Sequence, residues 1–230
     1  MLHEDHQHSF HYTPVQGLEP GDMEKRQNFC RFLLLRNERD NLFLKSILWT
    51  DEAQFTRDGV TNFHNLHQWA HHNPHVCREN KFQRRFSVNV WAGIVCNTFI
   101  GPYFLPDHLN GQNYLEFLQE QLLPDLADEV PIALRNRLVF QQDGAPAHYS
   151  QAVRQWLNEC FPERWIGRAS IADRPFVAAE WPPRSPDLTP MDFYVWGFMK
   201  NFVYQTKVDT RDELIQRIHV TQSFEKNCNY

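Results

Sequence analysis

No apolar run in this sequence approaches the roughly 20 residues needed to cross a bilayer, so no membrane partner is expected. The opening residues, Met1 to His11, are polar and rich in histidine, and lack the apolar stretch of a secretory signal. Cysteine is sparse. Cys30, Cys77, Cys96, Cys160 and Cys228 are scattered and odd in number, which excludes a disulfide framework and reads as reduced thiols. There is no internal repeat and no long Gly/Ser linker. A basic excess is missing too: the formal net charge is −5. A free-standing nucleic-acid reader usually carries the opposite sign, because phosphate neutralisation supplies most of its affinity. Charge alone therefore argues against DNA binding. What is present is ample apolar material, 42% hydrophobic and 14% aromatic over 230 residues. That suffices for one large domain or two small ones and excludes disorder for most of the chain.

Hydrophobic periodicity divides the chain. Glu19-Pro20-Gly21-Asp22 is turn chemistry, with Asp22 placed to cap a helix that carries Phe29, Phe32 and Leu33 on one face. Residues 44–51 read as a buried strand ending in an acid. In 86–95, Phe86, Val88, Val90, Ala92 and Ile94 alternate, and the break at Cys96-Asn97-Thr98 leads into a second apolar run to Leu105, which together predict a hairpin. Residues 112–123 have helical spacing, 138–143 form another strand ending in an acid, and 150–161 are an amphipathic helix. The stretch 162–186 is loop-rich, and a last helix runs from about Pro190 to Tyr204. The order predicts a mixed α/β domain, one sheet with helices on its faces.

Asp51 and Asp143 each end an apolar strand in this reading. If those strands are parallel neighbours, both carboxylates emerge at the carboxyl edge of the sheet, where sites in open α/β sheets lie. Two carboxylates brought close repel unless a cation lies between them, and Mg²⁺ suits such oxygen ligands. A third acid comes from Asp187 or Asp192. Asp187 is boxed in by a Ser-Pro turn, whereas Asp192 heads a helical stripe of Val195, Met199 and Phe202 that faces the packed side. Asp192 is the choice. Pattern leaves it a second reading, as the third-position acid of a capping arrangement begun by Thr189 and Pro190. Asp51 as a strand-end turn residue and Asp143 as part of an Asp-Gly turn remain equally open on pattern.

Five ordered blocks bear on the choice. They are Trp49-Thr50-Asp51-Glu52-Ala53-Gln54-Phe55, the run from Phe86 to Ile94, Gly101-Pro102-Tyr103-Phe104-Leu105, the run from Phe140 through Asp143-Gly144-Ala145-Pro146-Ala147 to His148, and Trp181 through Thr189-Pro190-Met191 to Asp192. In content and order they resemble the mariner-type DNA transposases, over roughly residues 10–215. The resemblance implies an RNase H-like fold, with Asp51, Asp143 and Asp192 as catalytic acids holding two Mg²⁺ or Mn²⁺ ions. It implies work in the nucleus on transposon ends and target DNA, and a possible homodimer. Residues 1–39 are then a linker and partial helix, 40–218 the catalytic domain, and 219–230 a divergent tail.

The sequence departs from the family pattern in three places. Nothing before Thr13 has the length or pattern of the family's helix-turn-helix modules, and their absence would answer the charge objection. The interval from Asp143 to Asp192 is long, with Asp173-Arg174-Pro175-Phe176-Val177 read as a loop insertion that could displace the third acid. The tail after Ile218 is polar. A decayed or host-adopted copy serving as an interaction module is the alternative to an enzyme; a host nuclease of the same fold is a third reading. Lys81, Arg84 and Arg85 are the best basic cluster for DNA backbone contact, or a solvated surface run. His148 is read as a phosphate contact or as local packing, and Glu52 as support for the metal ligands or an exposed strand-end residue. The run His64, His67, His71, His72, His75 and Cys77 fits no closed zinc pattern. Trp49, Trp91, Trp156 and Trp196 are expected in the core.

Overall fold

The computed structural model describes residues 16–59 and 85–225. Strand β1 (Ile47–Thr56) runs through the middle of a six-stranded sheet. Alternation sends Ile47, Trp49, Asp51, Ala53 and Phe55 to one face and Leu48, Thr50, Glu52 and Gln54 to the other. On one edge β1 pairs antiparallel with β2 (Ser87–Val95), which turns at Cys96 and Asn97 into β3 (Thr98–Leu105). The expected hairpin is present. Val88, Val90 and Ala92 bury on one face, and Trp91 and Val95 on the other. On its other edge β1 pairs parallel with β4 (Val139–Gln141), followed by β5 (Trp165–Gly167) and β6 (Ala179–Glu180), giving the order β3-β2-β1-β4-β5-β6. A parallel half sheet needs cover on both faces.

Helix α1 (Asp22–Arg39) covers the parallel half on the Asp51 face. Phe29 packs edge-on against Trp181, and Phe32 against Phe43. On the opposite face lie α2 (Gly111–Phe117), a π-helical turn at 118–122, α3 (Leu123–Glu129), the short α4 (Ile132–Arg135) and α5 (Gln151–Cys160). The Asn110 side chain caps α2 by accepting from the N–H groups of Gln112 and Asn113, and the Ser150 hydroxyl caps α5. Tyr114, Phe117, Val153 and Leu157 then pack on Leu48, Trp91, Phe140 and Trp165. The antiparallel half of the Asp51 face is closed by α6 (Trp196–Val203), preceded by a π turn at 191–195, and by α7 (Arg211–Glu225). Met191, Val195, Met199, Val203, Leu214 and Ile218 are buried against Phe55, Val88 and Val90. Each such side chain contributes about 1.5–3 kcal/mol over exposure.

Several expectations are corrected. The apolar run at 44–51 begins as a short 3₁₀ turn, and the strand extends to Thr56 because β2 stays paired with it from Ile94 back to Ser87. Asp51 therefore lies within the strand, not at its end. Strand β4 stops at Gln141 and leaves Asp143 just beyond it. Asp22 is not the cap of α1. Gly21 holds that position at φ 88°, while the buried Asp22 carboxylate accepts from Arg184 at 2.5 and 2.8 Å and from the Glu19 N–H at 2.9 Å. The loop-rich stretch 162–186 contains β5 and β6. Lys81, Arg84 and the His64-to-Cys77 run lie outside the described residues.

Candidate active site

The parallel register fixes the first two acids. Trp49 lies opposite Gln141, the last paired position of the two strands, and two residues further along each chain come Asp51 and Asp143, which both line one cleft at the carboxyl end of β4. Thr50 locks the pair of strands there: its hydroxyl donates to the Gln141 carbonyl at 2.6 Å and its N–H to Gln141 Oε1 at 3.0 Å. The helical layers on this face leave a cleft of about 1140 Å³ between α1 and the helix that begins at Met191. Asp51, Asp143 and Asp192 all line it, with Lys25, Arg168 and Trp181.

Asp192 stands exposed at the rim of that cleft, not packed on the sheet as the spacing predicts. In the π turn, Met191 and Val195 take the inward positions instead. Thr189 does cap, accepting from the Met191 N–H at 3.2 Å. Asp187 points elsewhere, pairing with Arg26 of α1 through both oxygens at 2.9 and 2.5 Å, and it does not line the cleft.

Trp196 is buried as expected, but its indole N–H also donates to Asp51 Oδ2 at 2.7 Å. Sequence gave no sign of that bond; only the spacing of four from Asp192, which puts both residues on one side of a helix, hinted at proximity. His148 follows its local-packing reading and not that of a phosphate contact. It is buried at 2% exposure, with Nδ1 at 2.6 Å from Asp143 Oδ1 and Nε2 at 3.1 Å from Glu52 Oε1, which leaves neither nitrogen for a phosphate. The local-packing reading is the one observed. Glu52 lies mid-strand on the other face from Asp51 and reaches His148. Arg85 is exposed just before β2 and is not in the cleft lining.

The charges are unequally balanced. Burial works to lower the His148 pKa, but Glu52 and Asp143 outweigh it and push it up to about 10. Burial likewise works to raise the Asp143 pKa, and the His148 hydrogen bond and charge with the Ala145 N–H outweigh it, so Asp143 stays an ionised carboxylate. Asp51 has no such partner. Burial first, then Asp192 and Glu52, push it up to about 8 against the Trp196 hydrogen bond. At the rim the cleft walls desolvate Asp192 in part, and this and Asp143 raise its pKa, with Lys200 offsetting part. A cleft holding three acids and too little positive charge has the donor chemistry of a hard divalent cation site. Among the described residues no three of His, Cys, Asp or Glu close on one point as they stand.

Residues 46–215 match the family described as DDE superfamily endonuclease. The chain belongs to that family. The resemblance to mariner-type transposases in the motifs is borne out by its relatives. The chain is 25% identical over 158 residues to the Tc3 transposase of Caenorhabditis elegans, covering 69% of this chain and 42% of that protein. It is 25% identical over 197 residues to the histone-lysine N-methyltransferase SETMAR of Homo sapiens, covering 80% of this chain and 25% of that protein. It thus spans less than half the length of both curated relatives. Its fold is that of the Mos1 mariner transposase catalytic domain, with TM-score 0.60 at 20% identity over 94% of this chain and 96% of that one. It also matches a Mos1 paired-end complex with the left transposon end, with TM-score 0.67 at 21% identity over 99% of this chain and 67% of that one. The mixed sheet is therefore the expected RNase H-like fold.

Proposed function

We propose that this chain carries the catalytic centre of a metal-dependent cut-and-paste transposase. It hydrolyses a phosphodiester at a transposon end, and the freed 3′-hydroxyl then attacks target DNA. The observation that carries the reading is that Asp51, Asp143 and Asp192 line one cleft, the first two each following the last paired residues of adjacent parallel strands. Asp51, Asp143 and Asp192 are the residues that would hold two Mg²⁺ or Mn²⁺ ions. Mos1 catalytic-domain structures with Mn and with Mg support that choice. When bound, such ions stabilise charge on the phosphoryl group and activate the attacking oxygen. The protein's part is to orient. Trp196 fixes one oxygen of Asp51, Thr50 and Gln141 fix the strands, and Arg168 and Lys25 give the cleft a positive wall for a DNA backbone. Transposon-end DNA in the Mos1 paired-end complex supports DNA as the partner; the nucleus, and pairing of two copies, follow from that role.

A second reading, a remnant that keeps the fold without the chemistry, draws on one observation: the three carboxylates do not converge on a single point. One assay separates the two. DNA carrying a transposon end, supplied in excess, should be nicked by the parent protein in Mn²⁺. Asp192→Asn should abolish nicking. Asp187→Asn should leave it largely intact and cost at most about 1 kcal/mol, because its ion pair with Arg26 is exposed. Loss in Asp187→Asn alone overturns the choice of third acid. A parent with neither nicking nor a Mn²⁺-dependent rise in melting temperature is the remnant.

A further inference from the structure

Asp143 is held from behind by the buried His148 and, behind it, the half-buried Glu52. Its Oδ1 accepts the Ala145 N–H at 2.9 Å and meets His148 Nδ1 at 2.6 Å. The far nitrogen of the same ring meets Glu52 Oε1 at 3.1 Å. Glu52 projects from β1 on the face opposite Asp51, so the strand that carries one acid of the cleft also anchors the ring that grips the other. The ring itself is wedged. Its centroid lies 4.3 Å from that of Tyr114, a fully buried residue of α2. With both nitrogens occupied and one face packed, the imidazole cannot turn without giving up a hydrogen bond inside the protein, which costs about 1–3 kcal/mol. Oδ1 of Asp143 is thereby committed twice, while among the described residues no hydrogen bond engages Oδ2.

From this geometry we infer that Glu52 and His148 are positioning residues: they lock Asp143 so that Oδ2 faces the cleft as a preset divalent-cation ligand. The inference rests on the metal-dependent reading above and adds a division of labour to it. The acid that touches the ion is Asp143, and the residues that hold its rotamer are a histidine five positions later and a glutamate on the neighbouring strand. Partners of this kind behind a ligand typically change metal affinity by about 10- to 100-fold when removed. Glu52 acts at one further remove, so its effect is the smaller. No proton transfer by His148 is involved; its contribution is orientation.

The test is Mn²⁺ affinity without DNA, measured on the full chain by calorimetry or by the loss of free-ion electron paramagnetic signal. The parent is compared with His148→Asn, Glu52→Gln and Asp143→Asn, and metal-free melting curves serve as the fold control. Glu52→Gln keeps the shape but replaces the charged acceptor of the ring N–H with a weaker neutral amide oxygen, so it loosens the hold on the ring without opening a cavity. The expected result is an about 10- to 100-fold weaker affinity in His148→Asn and a loss of a few-fold in Glu52→Gln, both with cooperative melting retained. A purely packing role for the pair would lower the melting temperature and leave the affinity of the folded fraction unchanged. Should His148→Asn prove too unstable to measure, Glu52→Gln decides alone: affinity equal to the parent's overturns the inference. A parent whose Mn²⁺ binding matches Asp143→Asn sinks the metal-site reading and this inference with it. A parent that binds Mn²⁺ while both positioning variants bind it equally well sinks the inference only.

Discussion

Asp51 is the acid whose charge the fold tolerates least, and replacing it tests the electrostatics of the cleft directly. Its pKa, pushed up to about 8 by burial, Asp192 and Glu52, lies above the roughly 4 of an unfolded aspartate. An acid with a raised folded pKa destabilises the fold once ionised. Its penalty is absent below about pH 4, grows as pH rises, and is complete above about pH 8. At ~1.4 kcal/mol per pH unit that interval sets a ceiling of roughly 5–6 kcal/mol. Solvent in the open cleft and local relaxation bring the effective penalty to on the order of 2–3 kcal/mol. Asp51→Asn removes the charge and keeps an oxygen to accept from Trp196. In EDTA at pH 8.5 it should melt about 5–10 °C above the parent, at roughly 2–4 °C per kcal/mol for a chain of this size. At pH 4 the two should melt together. Excess Mn²⁺ should invert the order at pH 8, because the parent gains a ligand that the variant cannot hold. Differential scanning calorimetry from pH 4 to 9, with and without Mn²⁺, reads all of this. Parallel parent and variant curves across that range refute the reasoning.

Trp196→Phe deletes the 2.7 Å donor to Asp51 and keeps most of the buried ring. The pH-dependent loss of melting temperature should begin at the same pH but extend to higher pH, with about 1–2 kcal/mol more lost at its end, and an unmoved end-point would show that the indole N–H does not act on the acid. Arg168, stacked 4.2 Å over the Tyr149 ring beside the Asp143 turn, is the proposed phosphate contact. Arg168→Ala should weaken DNA binding and flatten the salt dependence by about 0.9 in log–log slope while sparing the Mn²⁺ shift; an unchanged slope in a filter-binding titration removes it from the interface. Asp173 is buried and pairs with Arg154, Asn158 and Ser170. Asp173→Asn leaves Arg154 uncompensated and should cost about 3–5 kcal/mol in urea denaturation, whereas a loss under 1 kcal/mol would mean the segment is not anchored there.

The long elements were legible because each carries its own period. The alternation at 86–95 and the helical spacing at 150–161 specify one face apiece, and both elements formed where expected. Strand β4 was read from its apolar run at 138–143 and spans 139–141, whereas β5 and β6 span only 165–167 and 179–180, too short for any period to register. What defines them is parallel pairing with residues far away in sequence. Helix α7 was missed because its apolar positions are few, Leu214 and Ile218 among them, and a polar helix reads as a loop. The three acids were readable because motif blocks surround them. Their support was not: the Trp196 and Glu52 partners lie 145 and 96 positions from the groups they bind.

The segment between Arg168 and Trp181 shows how such distant ties override local length. As an insertion it was expected to threaten the position of Asp192. The structure ties it down at both ends. Asp173 closes a capping box with Ser170 and reaches back to α5, and β6 then adds a parallel strand that delivers Trp181 to the sheet edge. Beyond Trp181 the path to Asp192 is set by α1, not by the inserted residues. Phe29 packs on Trp181, Arg184 grips Asp22, and Arg26 holds Asp187. Each contact joins a residue of α1 to a residue of the 181–187 stretch, so extra length upstream is absorbed before it reaches the third acid. Helix α1, expected as the partial helix of a linker region, therefore acts together with the burial of Met191 and Val195 against the sheet to keep Asp192 on the cleft.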